Sequence, residues 1–209
     1  MFGLALRGSS HRAERLSVTE KGMPGIDESR TFVALRIAVL TVSDTRSLAD
    51  DKSGGTLAAR IEAAGHLVAD RAIVVDDVNE IRTRLKNWIA DPGIDVIIST
   101  GGTGFTGRDV TPEAAEPLFE KRMDGFSTVF HMVSHAKIGS STVQSRATAG
   151  VANATFIFCL PGSPGACRDA WDEILVHQLD YRYRPCNFVE LMPRLDEHLR
   201  RPKAKGATA

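Results

Sequence analysis

Three short apolar runs set the limits on how this chain can fold: Leu35–Val42 (LRIAVLTV), Val96–Ile98 (VII) and Thr155–Leu160 (TFIFCL). None alternates apolar with polar, as a strand with one wet face would. Each reads as a strand covered on both faces, the pattern of a parallel sheet held between helical layers. Ala72–Val75 reads as a further short strand. Helical patterns separate the runs. Leu57, Ala58, Ile61 and Ala64 share a face that stops at Gly65. Ile81, Leu85, Trp88 and Ile89 share another, with Asp77 at the N-cap position three residues before Glu80 and Asp91-Pro92-Gly93 as its stop. Further helices are predicted over Phe126–His135 and through Ala170, Trp171, Ile174, Leu175 and Leu179. This alternation predicts an α/β fold of three layers, α/β/α, with a mostly parallel sheet and helices on both faces.

In such sheets ligands gather at the carboxyl ends of the strands. The unusual loops of this chain all fall there: Ser43-Asp44-Thr45-Arg46, Asp76-Asp77, Gly101–Asp109 and Pro161-Gly162-Ser163-Pro164-Gly165. The strand ending at Thr100 runs into Gly101-Gly102-Thr103-Gly104, then Arg108 and Asp109, and Thr111-Pro112 open a helix as N-cap and first-turn proline. Unhindered loop amides beside a helix N-terminus form a site for an anion, usually phosphate. The Gly102 to Gly107 spacing imitates a Walker loop, but Arg108 and Asp109 stand where Lys and Ser/Thr are required, so this is not a P-loop.

Asp109 poses a conflict, because a carboxylate about 4 Å from a phosphate charge is repelled by about 4 kcal/mol at an effective dielectric near 20. A Mg2+ ion held by both would resolve it. Asp109 reads equally well as the partner of Arg108 or a cap on the Thr111 helix. Asp76 is open to the same metal role, whereas Asp77 reads as an N-cap and Asp44 and Asp51 as turn residues. His131 and His135 have the spacing of a zinc helix, but Met132 replaces the glutamate such a site needs. Ser163 is not in a G-x-S-x-G elbow. Ser140 to Arg146 is a polar run suited either to an anionic or heteroaromatic ligand or to an ordinary loop.

Lys plus Arg and Asp plus Glu are equal at 26 each, which leaves no electrostatic footprint for nucleic acid. The 3 cysteines lack C-x-x-C spacing and read as reduced thiols. No apolar run is long enough to span a membrane and no secretory h-region is present, so a cytoplasmic location is expected. The expected organisation is a disordered or extended leader over 1–34, one domain over 35–195 and a polar tail over 196–209.

Thr100-Gly101-Gly102-Thr103-Gly104, continuing as Arg108-Asp109-Val110-Thr111-Pro112-Glu113-Ala114, resembles the MoaB/MogA family of molybdenum cofactor biosynthesis. Ser43-Asp44, Ser53-Gly54, Ser145-Arg146 and Leu160-Pro161-Gly162-Ser163 agree with it. Gln178-Leu179-Asp180 and Arg184-Pro185-Cys186-Asn187-Phe188 are similar to the MoaB branch in particular. The resemblance implies a homotrimer or homohexamer, with other cofactor-assembly proteins as further partners, that binds molybdopterin, a pterin with a dithiolene and a terminal phosphate. It also implies AMP transfer from Mg-ATP to that phosphate, or, in the alternative, a non-catalytic carrier. It implies that Asp76 and Asp109 are the catalytic acids and Mg2+ ligands, with no tightly bound cofactor. Substrate or nucleotide contacts then fall to Ser43, Asp44, Gly101, Gly102, Thr103, Gly104, Thr111, Ser145, Arg146, Pro161, Gly162 and Ser163.

Overall fold

The computed structural model describes residues 24–197; the remainder of the expected leader and tail lies outside the described residues. Strand β1 (Gly25–Ile26) precedes β2 (Arg36–Val42), α1 (Lys52–Ala63), β3 (Leu67–Val74), α2 (Val78–Ile89) and β4 (Val96–Thr100). A short α3 (Thr111–Ala115) and β5 (Lys121–Arg122) lead to α4 (Asp124–Ile138), β6 (Thr148–Ala152) and β7 (Thr155–Leu160). Helix α5 (Pro164–Ala170), a π-helical turn (Trp171–Leu175), α6 (Val176–Gln178) and β8 (Tyr183–Arg184) complete the order.

The main sheet has 6 strands in the order β3-β2-β4-β7-β6-β5, parallel from β3 to β7 and antiparallel beyond. Side chains of one strand alternate between faces, and each face has its own core. Ile37 and Val39 of β2 pack with Leu57 and Ile61 of α1, Phe126 and Phe130 of α4, and Trp171. Ala38 and Leu40 pack on the other face with Ile81, Leu85 and Trp88 of α2 and Ala114 of α3. The three-layer, mostly parallel arrangement expected from the apolar runs is the observed one.

Several boundaries differ from expectation, each for a physical reason. β3 begins at Leu67, five residues before Ala72, because it pairs with β2 from Arg36↔Leu67 to Val42↔Val74. As an edge strand it is only partly buried, and its apolar signal is weak. β6 is a strand that the apolar pattern does not predict, since its TAGVA sequence is small and featureless. It is defined by a hairpin with β7 whose two turn residues, Asn153 and Ala154, both take positive φ, the geometry of a tight two-residue turn. Of the segment expected to be disordered or extended, residues 24–34 are tied to the domain: β1 pairs with β8, and Arg30 meets Glu190 at 2.6 Å and covers the Tyr181 ring.

Candidate active site

The carboxyl ends of β2, β3, β4 and β7 open into one cleft of about 460 Å³, lined by Ser43, Arg46, Asp76, Gly101 to Gly104, Asp109, Gln144, Ser145 and Pro161 to Ser163, among others. Two other surface depressions contain few of the expected residues. One holds Ser145 and Arg146 behind the loop, and the other is an apolar groove along α4. The cleft is where the backbone is most specialised.

The loop after β4 can only be built from glycine at its first two positions. Gly101 has φ +103°, and a Cβ there would stand 2.3 Å from the Val42 carbonyl. Gly102 has φ +63°, and its Cβ would meet the Thr111 hydroxyl at 2.4 Å and Asp76 Oδ1 at 3.1 Å. The Gly101 amide donates to the Leu160 carbonyl at 3.0 Å, tying the loop to β7. The amides of Gly102 and Thr103 take no acceptor among the described residues. Both are free to meet a ligand.

The helix N-terminus expected to join them does not. α3 has 5 residues, its N-cap is Val110, and no side chain caps it. Thr111 is buried beneath the loop: its amide donates to the Gly102 carbonyl at 2.9 Å and its hydroxyl to the Gly101 carbonyl at 2.8 Å. Thr111 therefore shapes the loop from behind and offers no donor to the cleft.

Arg146 is likewise committed. Its Nε donates to the Gly104 carbonyl at 2.8 Å, one Nη to the Asp109 carbonyl at 2.7 Å, and the other to the Glu113 carboxylate. It clamps the two ends of the Gly104–Glu113 loop, with its guanidinium spent on the protein. Asp44 is held in a fork by Arg108, at 2.9 and 2.6 Å, and accepts the Asp76 amide at 3.1 Å. The Arg108 guanidinium keeps the Asp44 carboxyl below the usual carboxylate range. Ser43 lines the cleft, but its hydroxyl accepts the Thr45 and Arg46 amides at 3.3 Å. Ser163 caps α5 through the Ala166 amide at 3.1 Å.

The two expected acids differ from each other. Asp109 is neither paired with Arg108 nor a helix cap. Its Oδ2 accepts the Thr106 amide at 2.8 Å and hydroxyl at 2.6 Å. Burial pushes its carboxyl up, but the Thr106 and Gly104 donors and the Arg146 charge outweigh burial and hold it low. No side chain among the described residues donates to Asp76. Burial pushes it above the ordinary range, and the charges of Asp44 and Asp109 add to that, offset only in part by Arg108 and an approach of the Asp44 amide. An acid in this state gains from a cation beside it.

Among the described residues no group of three or more His, Cys, Asp or Glu side chains could hold a metal. A pair such as Asp76 and Asp109 is a donor set of the kind Mg2+ commonly takes, one or two carboxylates with water and substrate phosphates completing the shell. His131 belongs to no such cluster; its ring nitrogens face the Ser127 and Ser145 carbonyls at 2.7 and 3.1 Å.

Three residues that support the cleft were not among the expected contacts. Asp51, expected as a turn residue, is a buried cap on α1 that accepts the Gly54 amide at 2.9 Å, the Thr41 hydroxyl at 2.7 Å and Arg71 at 3.2 Å. Ser53, in the first turn of that helix, donates to the Gly162 carbonyl at 2.8 Å. Arg46 reaches the same carbonyl at 3.4 Å. Only the SG pair at positions 53 and 54 hinted at this arrangement, because the glycine leaves room for Asp51 Oδ2 where a Cβ would lie at 2.1 Å.

Comparison with known proteins agrees with this geometry. Residues 38–181 match the family model described as "Probable molybdopterin binding domain". Molybdenum cofactor biosynthesis protein B of Escherichia coli K12 is 51% identical over 160 residues, covering 77% of this chain and 94% of that protein. The crystal structure of a molybdenum cofactor biosynthesis protein B superposes with a TM-score of 0.70 at 38% identity, over 72% of this chain and 94% of the other. The tungsten cofactor synthesizing protein MoaB from Pyrococcus furiosus gives 0.61 at 36% identity, over 68% and 91%. With its matched segment spanning the sheet and all four cleft-forming strand ends, the chain belongs to the family of molybdopterin-binding domains of molybdenum cofactor biosynthesis.

Proposed function

We propose that this protein acts in molybdenum cofactor biosynthesis by binding molybdopterin and adenylylating its phosphate with Mg-ATP. The observation that carries the reading is the meeting, in one cleft, of two unspent loop amides at Gly102 and Thr103 with an undercompensated carboxylate at Asp76. Amides alone suit any anion. An acid pushed up by burial and by neighbouring carboxylates, placed beside those amides, suits an anion that arrives with a divalent cation.

In the proposed reaction a phosphate oxygen of molybdopterin attacks the α-phosphorus of ATP. The bond from that phosphorus to the bridging oxygen breaks, and pyrophosphate leaves with the electron pair. Mg2+ accompanying ATP supplies charge neutralisation. The Gly102 and Thr103 amides would hold phosphoryl oxygens, and Asp76 and Asp109 would hold the ion. Gly101 keeps the loop against Val42, and Pro161 to Ser163 form the opposite wall. Little covalent work falls to the protein; alignment and preset dipoles lower the barrier.

A second reading, a carrier that binds molybdopterin without turnover, draws on one observation. Asp109 Oδ2 is already engaged by Thr106, so this acid also serves as a loop brace. One experiment separates the two. Protein, molybdopterin, Mg2+ and ATP are incubated and the pterin is weighed by mass spectrometry. Adenylyl transfer predicts the AMP adduct with release of pyrophosphate, and its loss in Asp76→Asn. Bound but unmodified pterin in the unaltered protein would support the carrier instead.

A further inference from the structure

We propose that Arg46 is a phosphate-binding residue of this cleft, standing opposite the acids and taking an oxygen of one of the two anions the reaction must bring together. The assignment rests on the adenylyl-transfer reading above.

Among the described residues, three side chains that line the cleft carry formal charge: Arg46, Asp76 and Asp109. Of the other guanidiniums around the cleft, Arg108 is occupied by Asp44, Arg146 by Glu113 and two carbonyls, and Arg71 by Asp51, while Arg168 of α5 makes no ion pair among the described residues but does not line the cleft. Arg46 makes no ion pair among the described residues. Its contacts are with neutral oxygens at long range, Nη1 donating to Ser53 Oγ at 3.3 Å and to the Gly162 carbonyl at 3.4 Å. Nε and the second Nη have no acceptor among the described residues, and neither is a buried orphan.

Its position follows from the topology. Ser53 belongs to α1, which packs on the face of the sheet shared with α5, and Gly162 leads into α5. Asp76 leads into α2 and Asp109 into α3, which cover the other face. The cleft is therefore polarised across the glycine loop, with carboxylates on one side and a single guanidinium on the other. A reaction between two phosphate-bearing molecules needs more than one centre of compensation, because the acids can receive an anion only through a cation. A guanidinium without a counter-ion receives one directly, and its planar fork matches phosphate oxygens.

A purely mechanical role explains less. Ser53 already donates to the Gly162 carbonyl at 2.8 Å, a shorter bond than the one from Arg46. The wall is thus held without the guanidinium. The Ser43 hydroxyl accepts the Arg46 backbone amide at 3.3 Å, so the turn that presents the side chain is itself fixed.

Both sources of phosphate, the terminal phosphomonoester of molybdopterin and the triphosphate of ATP, present the same oxygens, and the test separates them. Dissociation constants for Mg-ATP and for molybdopterin are measured by calorimetry on the full chain and on Arg46→Ala, Arg46→Lys and Ser53→Ala. Arg46→Ala should weaken one ligand roughly 10- to 100-fold, the scale for losing a charge-assisted hydrogen bond. The affected ligand identifies the anion. Arg46→Lys should recover part of the loss, since a point charge replaces the fork. Added salt should weaken that ligand less steeply in Arg46→Ala than in the unaltered protein. Ser53→Ala, which loosens the Gly162 wall but keeps the guanidinium, should weaken both ligands less than Arg46→Ala weakens its own, and thermal melts should show Arg46→Ala folded. The proposal is overturned if Arg46→Ala binds both ligands as the unaltered protein does, or if Ser53→Ala loses as much as Arg46→Ala, which would make Arg46 a strut. If the unaltered protein binds neither ligand, the adenylyl-transfer reading falls and this assignment with it. Binding by the unaltered protein, with no loss in Arg46→Ala, removes the assignment to Arg46 and leaves adenylyl transfer standing.

Discussion

Replacing Asp51 by alanine tests how the cleft is tied to the fold. The Asp51 side chain is 1% exposed and answers three donors: the Gly54 amide, the Thr41 hydroxyl and Arg71. Loss of the helix cap costs about 1 kcal/mol. Leaving the buried Thr41 hydroxyl without its acceptor adds about 1 to 2 kcal/mol. The Arg71 pair adds only about 0.5 kcal/mol, because that guanidinium is 29% exposed and screened by solvent. The sum is about 3 kcal/mol, which for a domain of this size lowers the melting temperature by about 6 to 12 °C. Urea unfolding followed by circular dichroism and by fluorescence of the buried Trp88 and Trp171 reads it directly. Asp51→Asn keeps an acceptor for the Gly54 amide and should cost about 1 kcal/mol. An Asp51→Ala protein within about 0.5 kcal/mol of the unaltered one would mean that the three contacts contribute nothing to stability, since surface substitutions alone fall in that range.

Three other outcomes follow from the same geometry. Asp76 has a folded pKa above its unfolded value, so its contribution to stability is present below the unfolded carboxylate range of about 4 and is lost as pH rises through the folded value. Asp76→Asn should therefore melt higher than the unaltered protein near neutral pH, with the gap closing in acid, while adenylyl transfer is lost. Gly101→Ala places a methyl against the Val42 carbonyl at a positive φ and should cost more than about 2 kcal/mol in urea unfolding. Cys159 and Cys167 are buried, their thiols pushed up by burial to about 12 and about 11, whereas Cys186 is exposed. A thiol reagent at neutral pH should thus modify Cys186 alone in the folded protein and all 3 cysteines of the chain in denaturant.

Much of the architecture was legible because doubly buried strands leave continuous apolar runs, and those runs end where ligands bind. Asp77 could be read as a cap from local spacing, and it does accept the Asn79 and Glu80 amides at 2.8 and 3.1 Å. Asp51 could not, because two of its three partners, Thr41 and Arg71, come from β2 and β3 and meet it only once those strands pair. The same holds for Arg146: its partners lie 33 to 42 residues away, so a residue that looked like a ligand contact proved to be a loop clamp. Thr111 misled for a different reason. Its Thr-Pro signature marks a helix start, but the helix is too short and its first amide is drawn into the glycine loop. β6 left no signal because small residues serve a strand between two others as well as large ones do.

A crystal structure of the protein with Mg2+ and a non-hydrolysable ATP analogue tests the proposed chemistry at its source. Phosphoryl oxygens should lie on the Gly102 and Thr103 amides, with the ion between them and the carboxylates of Asp76 and Asp109. Nucleotide bound elsewhere, or a cleft holding only water at saturating ligand, would contradict that chemistry.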